Sequence, residues 1–432
     1  MTIALISLGC DKNTVDSEIV LGFIKEAGLK TTVDLVQADA VIINTCGFLQ
    51  DAVNEAKEEV DQAIELKKLG KCKKLIVMGC AAARYPEKFL EVDGVDAVFG
   101  VGEHAKIVSF LLEVDDLPNL DMARLRVPST PGHYAYLRIA EGCDKHCTYC
   151  AIPKIRGSYI STPMDDLVEE ATYLVKMGVK ELVLIAQDTT LYGVDIYGKQ
   201  SLHILLKKLG EIERLRWIRL LYCYPEHIYD GLLEEMGGNP KVMPYVDLPI
   251  QHAADNVLKL MNRQSTNDIL RKTIDKIRKT VPGVALRTTL ISGFAGETLE
   301  DHNELCRFIK DVEFDHLGVF PYSREEGTPA DKLEDHLDEK VKLERADELM
   351  AIQQEISAKR LTGRVGDVAE AVIEEVDAEN WYFGRLAVQA PDIDGIIAIY
   401  AERPLNIGEF VMVKITKACD YDLIGELYEP SK

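Results

Sequence analysis

Short apolar runs alternate with helix-like segments through most of this chain, and this alternation limits the folds it can adopt more than any other feature. Near the N-terminus the apolar runs occupy 3–8, 40–44 and 74–78, and helical patterns cover 16–27 and 49–69. A continuous apolar run between helices is typical of a parallel strand that is buried on both faces. We therefore expect an N-terminal open α/β sheet.

A second series of the same kind follows a stretch with little periodicity. Residues 115–133 contain three prolines, which predicts a linker between domains. Beyond it, helical patterns such as 163–177 and 266–279 separate six apolar runs, at 134–140, 181–186, 217–222, 245–250, 285–291 and 316–322. Six βα units are too few to close an eight-stranded barrel, so they predict a partial (β/α) barrel of the TIM type.

The C-terminal residues change in character after a long polar helix predicted at 336–361. Segments of alternating polarity, split by Gly, Pro and Asp turns, occupy 365–376, 381–389, 395–401 and 409–417. They predict a small antiparallel β barrel. The predicted fold class is thus α/β multidomain, with domains at 1–115, 129–360 and 361–430.

The charge of the chain argues against a partner that is recognised through phosphate groups. The sequence has 72 acidic and 50 basic residues, a net charge of −22, and residues 361–432 contain 14 acidic against 6 basic. Proteins that bind nucleic acid through its backbone usually carry a basic surface. A basic protein partner fits at least as well as RNA, although the acidic excess also serves solubility.

The expected cellular compartment is inferred from three features: apolar runs, the N-terminal segment and the cysteine content. No apolar run approaches the roughly 18 residues that span a bilayer. Residues 1–13 have neither a basic leader nor a small-residue cleavage site, so we expect a cytoplasmic protein without a membrane partner. Ten cysteines in such a chain favour metal binding or chemistry over disulfides, because cytosolic thiols stay reduced.

Cys143, Cys147 and Cys150 form a C-x-x-x-C-x-x-C motif directly after the first strand of the second series. Thiolates at this spacing can ligate three corners of one cubic iron–sulfur cluster and leave the fourth iron open to a cosubstrate. The alternative is a zinc site with His146 or a distant fourth ligand. Zinc sites usually pair C-x-x-C with a second pair downstream, and none follows here. The motif therefore favours a cluster at the carboxyl ends of the barrel strands.

This motif resembles the signature of the radical S-adenosylmethionine superfamily. The resemblance implies a 4Fe-4S cluster whose open iron binds S-adenosylmethionine and, on reduction, releases a 5′-deoxyadenosyl radical. It also implies that Tyr149, the aromatic residue before the third cysteine, contacts adenine. The segment 286–298 is similar to the family's later strand and Gly-rich turn, so Gly293, Gly296 and Glu297 are candidate cosubstrate contacts. The alternative for these three residues is an ordinary βα turn.

Three further cysteines follow three predicted strands of the N-terminal sheet. Cys10, Cys46 and Cys80 each lie just past the carboxyl end of a strand. Those ends share one edge in an open parallel sheet, so the three side chains are expected to converge there. The alternative is three buried small hydrophobic residues, but the repeated placement favours a second three-cysteine cluster. The other four cysteines lack this placement and are interpreted as structural, with Cys223 the least certain; they are Cys72, Cys223, Cys306 and Cys419.

Two three-cysteine groups followed by a small β barrel resemble the domain arrangement of the methylthiotransferases. The resemblance covers the whole chain: an N-terminal methylthiotransferase domain, a radical core and a C-terminal TRAM domain. It implies two 4Fe-4S clusters, S-adenosylmethionine as both methyl donor and radical source, and a second cluster that carries the sulfur. A reductant protein such as flavodoxin or ferredoxin and a sulfur donor are further implied partners.

Within that family, four segments resemble the RimO branch rather than the tRNA branch (MiaB-like). They are SLGCDKNTVDSE at 7–18, AIPKIRGSY at 151–159, DLPIQHAADNVL at 247–258 and YSREEGTPA at 322–330. Asp11 departs from the pattern, because that branch commonly has proline after the first cysteine.

The RimO resemblance implies transfer of a methylthio group to the β-carbon of an aspartate in small-subunit ribosomal protein twelve. The substrate would be the free protein or the assembled subunit. Two alternatives stay open at this point. One is a methylthiotransferase that acts on a tRNA adenosine, and the other is a cluster-bearing binding or electron-transfer module without radical chemistry.

Overall fold

The computed structural model describes residues 1–115, 125–377 and 379–429, which form three main sheets. The linker predicted at 115–133 falls partly on 116–124, outside the described residues. Within the described ranges, no helix has both the length and the apolar character needed to cross a membrane.

The first sheet is open, α/β and parallel throughout, as predicted. Its strands are β1 (Thr2–Ser7), β2 (Lys30–Thr31), β3 (Ala40–Thr45), β4 (Lys74–Gly79) and β5 (Ala97–Phe99), and its helices are α1 (Asp11–Glu26), α2 (Gln50–Lys68), α3 (Cys80–Arg84), α4 (Glu87–Leu90) and α5 (His104–Leu112). The strand order is β2-β1-β3-β4-β5. The central strand β3 is buried over its whole length, which is why it reads as an unbroken apolar run.

The second sheet has six parallel strands, and the predicted partial barrel is confirmed. Its strands are β6 (Tyr134–Arg138), β9 (Glu181–Ile185), β10 (Trp217–Leu220), β11 (Val242–Asp247), β12 (Ala285–Ser292) and β13 (His316–Pro321), while β7 (Ala140–Glu141) and β8 (Ile160–Ser161) form a separate antiparallel pair. The order is β13-β12-β11-β10-β9-β6, in which β6 and β13 are the edges. The sheet therefore does not close into a full barrel.

Helices α6 to α14 belong to this second unit. They are α6 (Ile152–Arg156), α7 (Met164–Lys176), α8 (Val194–Tyr197), α9 (Leu202–Gly210), α10 (Asp230–Gly238), α11 (Asp255–Leu260), α12 (Asn267–Thr280), α13 (Leu299–Val312) and α14 (Glu339–Thr362). The long helix α14 matches the predicted polar helix and leads to the C-terminal barrel.

The C-terminal sheet is a small closed barrel, as predicted. Its strands are β14 (Val368–Val376), β15 (Trp381–Leu386), β16 (Ile397–Tyr400), β17 (Phe410–Ala418) and β18 (Leu423–Leu427), closed in the order β14-β15-β16-β18-β17. Four of the strand pairs are antiparallel, and β16 pairs with β18 in parallel. Strand β18 is an addition to the four predicted segments.

A buried ion network attaches this barrel to the six-stranded sheet. Glu181 on β9 accepts hydrogen bonds from Arg219 Nε on β10 (2.8 Å) and from Arg385 Nη2 on β15 (2.7 Å). All three side chains are at most 1% exposed. Burial alone would raise the pKa of Glu181, but the two guanidinium groups outweigh it and lower the pKa to about 2.

Because the folded pKa of Glu181 lies below its unfolded value, its carboxylate stabilises the fold at neutral pH. That contribution is complete above about pH 4.5 and is lost as the pH falls from there toward 2. We expect Glu181→Gln to lower the free energy of unfolding at pH 7 by about 3–5 kcal/mol, because two buried guanidinium groups lose the carboxylate that they share. The deficit relative to the wild type should narrow below pH 4.5.

Denaturant unfolding at a series of pH values measures both effects. Glu65→Gln is the control, because Glu65 pairs with Lys68 on an exposed surface. A deficit that stays constant from pH 7 to pH 3 would contradict this account of Glu181.

Candidate functional site

The first cysteine group lies on a loop that the partial barrel holds at several points. This loop joins β7 to α6, and Cys143 and Cys147 are buried while Cys150 is half-buried. The Cys143 N–H donates to the carbonyl of Gly157 (3.0 Å), and the Thr148 hydroxyl donates to the carbonyl of Leu260 (2.7 Å). The loop is therefore held to the barrel domain by hydrogen bonds at its first cysteine and between its second and third cysteines.

The environment of these thiols suits a bound soft cation. Burial raises the pKa of Cys143 to about 11 and that of Cys150 to about 12, and the neighbouring Cys147 thiolate adds to both shifts. Free thiolates are therefore disfavoured unless positive charge is supplied, as a metal or cluster supplies it. Backbone N–H groups of Lys145 and Ile152 point at the sulfurs of Cys143 and Cys150 (3.4 Å each), as hydrogen bonds to cluster sulfurs do.

The structure connects Tyr149 to the Gly-rich turn through an aromatic contact. Tyr149 meets the ring of Phe294 edge to face at 6.4 Å. Phe294 lies between Gly293 and Gly296, just past the end of β12. Gly293 packs so closely on α14 that a Cβ there would lie 2.5 Å from Cγ of Lys342. The turn therefore lies between α14 and the ring of Tyr149, the residue directly before the third cysteine.

Glu297 is fully buried, and other protein groups engage both of its oxygens. One oxygen accepts a hydrogen bond from Arg345 (2.6 Å), and the other accepts one from the Phe294 N–H (3.1 Å). His252 and His302 lie 3.6 and 3.9 Å from the same carboxylate. The Glu297 carboxylate therefore fixes the backbone of the turn through the Phe294 N–H. Its contact with a cosubstrate stays a prediction.

The second cysteine group is gathered at the carboxyl edge of the N-terminal sheet. Cys10 precedes α1, Cys46 follows β3, and Cys80 opens α3 directly after β4. Gly9, at φ +92°, faces Cys46 so closely that a Cβ would lie 2.8 Å from the Cβ of Cys46. Asn13 donates from Nδ2 to the carbonyls of two strand ends and accepts from the Cys80 thiol at Oδ1 (3.4 Å).

The thiols of this second group share the electrostatic character of the first. Burial raises the pKa of Cys80 to about 12 and also raises the pKa of Cys46. The Cys10 thiolate adds to both shifts, so the three sulfurs are electrostatic neighbours. This donor set fits a bound soft metal centre.

One residue of the partial barrel, Arg156, contacts the residues around the second cysteine group. Arg156 ends α6, the helix that begins two residues after Cys150, and is 7% exposed. Its Nη2 donates to Asn13 Oδ1 (2.7 Å) and to Asp16 Oδ2 (3.0 Å). Its charge also partly offsets the rise in the pKa of Cys80. Arg156 therefore links the loop of the first group to the residue that organises the second.

Further contacts hold the two cysteine groups at one interface. Cys80 packs against Ala151, the residue directly after Cys150. Arg84 on α3 pairs with Glu325 from the segment after β13 (3.0 Å), and both side chains are buried. The two groups of three cysteines, far apart in sequence, are thus neighbours across the contact between the first and second sheets.

Asp11 also acts at this interface, next to Cys10. It accepts a hydrogen bond from the hydroxyl of Tyr222 (3.2 Å), a residue that follows β10. The ammonium of Lys12 lies 3.2 Å from the centre of the same ring. The departure from proline at this position therefore comes with an added contact between the two sheets.

Sequence reasoning missed two residues of this site. Asn13 lies in the segment 7–18 and Arg156 in the segment 151–159, but nothing in their spacing indicates that they meet. The other cysteines lie elsewhere: Cys223 is fully buried and near the Thr189 hydroxyl (3.6 Å), while Cys72 is buried and Cys419 exposed.

Comparison with protein families matches three parts of the chain. Residues 2–100 match the uncharacterized protein family UPF0004, residues 137–309 match the radical SAM superfamily, and residues 365–427 match the TRAM domain.

Curated relatives match the chain over nearly its full length. Three of them carry the name "Ribosomal protein uS12 methylthiotransferase RimO". The relative from Lachnoclostridium phytofermentans is 48% identical, covering 98% of this chain and 99% of its own. Those from Clostridioides difficile and Clostridium perfringens are 45% and 46% identical, with coverage of at least 97% on both sides.

Solved structures share the fold at low sequence identity. The radical S-adenosylmethionine methyltransferase TsrM from Kitasatospora setae aligns with a TM-score of 0.55 at 14% identity, over 76% of each chain. The cobalamin-dependent radical enzyme OxsB aligns with a TM-score of 0.54 at 12% identity, over 81% of this chain and 56% of its own.

The buried pairing of Arg156 with Asp16 generates a stability prediction. Arg138, His104 and Arg156 together outweigh the effect of burial and hold the pKa of Asp16 well below its usual range. Replacing Arg156 with Met removes one of the two guanidinium groups at Asp16 and leaves Asn13 Oδ1 without its strongest donor. We expect the free energy of unfolding to fall by about 3–5 kcal/mol, the usual cost of breaking a buried pair.

Denaturant unfolding of Arg156→Met and of Lys154→Met measures this effect. Lys154 lies on the same helix and is exposed, and its ammonium donates to the carbonyl of Gly327. The control should change the free energy of unfolding by less than about 1 kcal/mol. Equal decreases in the free energy of unfolding of the two variants would contradict the stabilising role of the Arg156 ion pair.

Proposed function

Since the chain belongs to the RimO family of methylthiotransferases and is therefore a transferase, we propose that it adds a methylthio group to ribosomal protein uS12. The acceptor in this proposal is the β-carbon of an aspartate. The observation that carries it is the meeting of two groups of three cysteines at one interface, where Arg156 and Asn13 join them. A reaction that needs two metal centres close to one substrate atom requires such an arrangement.

In this proposal each cysteine group holds one 4Fe-4S cluster. Cys143, Cys147 and Cys150 would ligate the first cluster, with S-adenosylmethionine at its open iron, and Cys10, Cys46 and Cys80 would ligate the second. When bound, the first centre supplies the radical chemistry that activates a C–H bond and the second supplies the sulfur. The protein contributes positioning and exclusion of water, because the cofactors carry the difficult chemistry.

The chain's own residues account for that positioning. The turn at Gly293 and Gly296 presents the ring of Phe294 to Tyr149, so the cosubstrate's adenine would lie against a preformed aromatic wall. Across the interface, Lys12 covers the ring of Tyr222 and removes apolar surface from water next to Cys10. Fixed neighbours of this kind keep the reacting groups in one geometry.

The charge of the molecule supports a protein substrate over a tRNA. A ribosomal protein is basic, and this chain carries a net charge of −22. Such opposite charges favour encounter, while the phosphates of a tRNA would be repelled. The proposal includes a cytoplasmic site of action, a reductant protein such as flavodoxin or ferredoxin, and a separate sulfur donor.

The substrate is tested by direct competition. The enzyme with both clusters reconstituted is incubated with S-adenosylmethionine, reductant and sulfide, together with purified uS12 and unmodified tRNA. Mass spectrometry should find a methylthio adduct on an aspartate of uS12 and none on tRNA adenosine. A modified adenosine with unmodified uS12 would overturn the assignment and favour the tRNA alternative.

The roles of the two cysteine groups are separable by mutation. Cys147→Ala should abolish reductive cleavage of S-adenosylmethionine, because the first cluster loses a ligand. Cys46→Ala should retain cleavage but yield no methylthio product, because only the second cluster is disrupted.

Chromatography of 5′-deoxyadenosine and the mass of uS12 report the two steps separately. Cys419→Ala, at an exposed position in the C-terminal barrel, is the control and should match the wild type in both. Methylthiolated uS12 made by the Cys46 variant would contradict the role of the second group. Absence of cleavage by the wild type would favour a binding or electron-transfer module.

A further inference from the structure

A third cluster of metal-ligating side chains lies on α13 and α14, apart from the two cysteine groups. His302 and Cys306 are four residues apart on α13, so they project from the same face of that helix. Glu348 faces them from α14. The Nε2 of His302, the Sγ of Cys306 and a carboxylate oxygen of Glu348 all lie within 4.8 Å of one another.

The separation between the nitrogen and the sulfur is close to that in a tetrahedral metal site. Zinc bonds of about 2.0–2.1 Å to nitrogen and 2.3 Å to sulfur place the two donors about 3.6 Å apart at the tetrahedral angle. The observed separation between His302 Nε2 and Cys306 Sγ is 3.5 Å. Glu348 Oε2 lies 2.9 Å from the same nitrogen, and its side chain is 58% exposed, so it can move outward as a ligand.

The second nitrogen of His302 gives an independent indication. The side chain of His302 is 1% exposed, and its Nδ1 has no hydrogen-bond partner among the described residues. The nearest carboxylate to Nδ1 is Glu297, whose Oε1 lies 3.9 Å away. A metal-bound histidine usually directs its other N–H at a carboxylate, which fixes the ring and strengthens the ligand. Here Arg345 holds that carboxylate in place (2.6 Å).

We propose that His302, Cys306 and Glu348 form a zinc(II) site that joins α13 to α14, with water as the fourth ligand. One sulfur, one nitrogen and one oxygen donor match the borderline-soft character of zinc. Cys306, which from its sequence position alone is interpreted as structural, would be the sulfur ligand of this site. It does not depend on the proposed function, because none of the three residues belongs to the cysteine groups.

The position of the site suggests what the metal would do. α14 packs along β13 and against the Gly-rich turn, where the Ser292 hydroxyl donates to the carbonyl of Lys342 (3.0 Å) and Lys342 donates to the carbonyl of Tyr322 (2.9 Å). A metal that joins α14 to α13 one to two turns further along would hold this helix against the turn. The site is therefore structural in this proposal, although one coordination position is open to water.

Zinc binding is measured on the full-length enzyme with both clusters in place. The holoenzyme is treated with chelator, dialysed against ZnCl2 and freed of excess metal. We expect one zinc retained per chain, and zinc K-edge X-ray absorption with one sulfur and otherwise nitrogen or oxygen neighbours. The iron of the clusters does not contribute at this edge. No retained zinc, or a zinc shell dominated by sulfur, would overturn the proposal.

Two variants on α14 form a matched pair that should leave the fold intact. Glu348→Gln removes a ligand at an exposed position, and calorimetric titration with ZnCl2 should show at least a tenfold weaker affinity. Glu344→Gln lies one turn earlier, is also exposed and faces Lys340 (3.6 Å), so its affinity should equal that of the wild type. Equal affinities in the two variants would mean that Glu348 is not a ligand.

Cys306→Ala supplies the sharper test, with an optical readout of folding. It should lose the sulfur neighbour at the zinc edge and the rise in unfolding temperature that ZnCl2 gives the wild type. Circular dichroism confirms that the variant is folded. A folded Cys306→Ala enzyme that keeps the wild-type zinc spectrum would exclude this site.

Discussion

The buried guanidinium of Arg156 is the group on which the arrangement of the two cysteine groups depends. Transfer of such a cation out of water is costly, so it must be matched by charge and by hydrogen bonds in a fixed geometry. Asp16 and Glu141 supply the charge, and Asn13 supplies the acceptor that also reaches Cys80. An apolar contact between the two sheets would allow one sheet to shift over the other. The planar guanidinium of Arg156 does not allow this, because its N–H groups must stay aligned with three acceptors. The two cysteine-bearing segments are thus held by directional bonds.

The parts of the fold that are repeated locally could be predicted from the sequence. Strands β3 and β4 are almost fully buried and β1 is buried at Ile3 and Ala4, so each appears as an uninterrupted apolar run at close to its true bounds. Strand β17 alternates buried and exposed residues, and this alternation is visible in the sequence and predicts a strand of the barrel. The edge strands β2 and β5 have two and three residues, too few to produce any pattern. The partly exposed β18 was missed for a related reason, because only two of its five residues are buried.

The residues of the candidate site likewise fall into those that the sequence predicts and those that only the packed structure shows. The cysteines were predictable because a strand end is a local feature and parallel strands bring their ends to one edge. Arg156 and Asn13 were not, because 143 residues separate them and their contact depends on how two sheets pack. The surroundings of Glu297 could not be predicted for a similar reason. Its sequence position indicates a cosubstrate contact, but only the packed structure places Arg345 and two histidines around it.

The same packing sharpens the argument from charge. Among the few basic residues of the C-terminal barrel, Arg385 is buried and pairs with Glu181 and Glu374. Arg403 lies between Glu409 and Glu429, at 2.8 and 3.4 Å. Arg385 is thus used inside the fold, and the partly exposed Arg403 is already matched by two carboxylates, so neither guanidinium is available to bind a phosphate group. A barrel of this kind usually presents positive charge to nucleic acid. In this barrel, residues 361–432 contain 14 acidic against 6 basic residues, a charge that is a better match for the proposed basic protein substrate than for a nucleic acid.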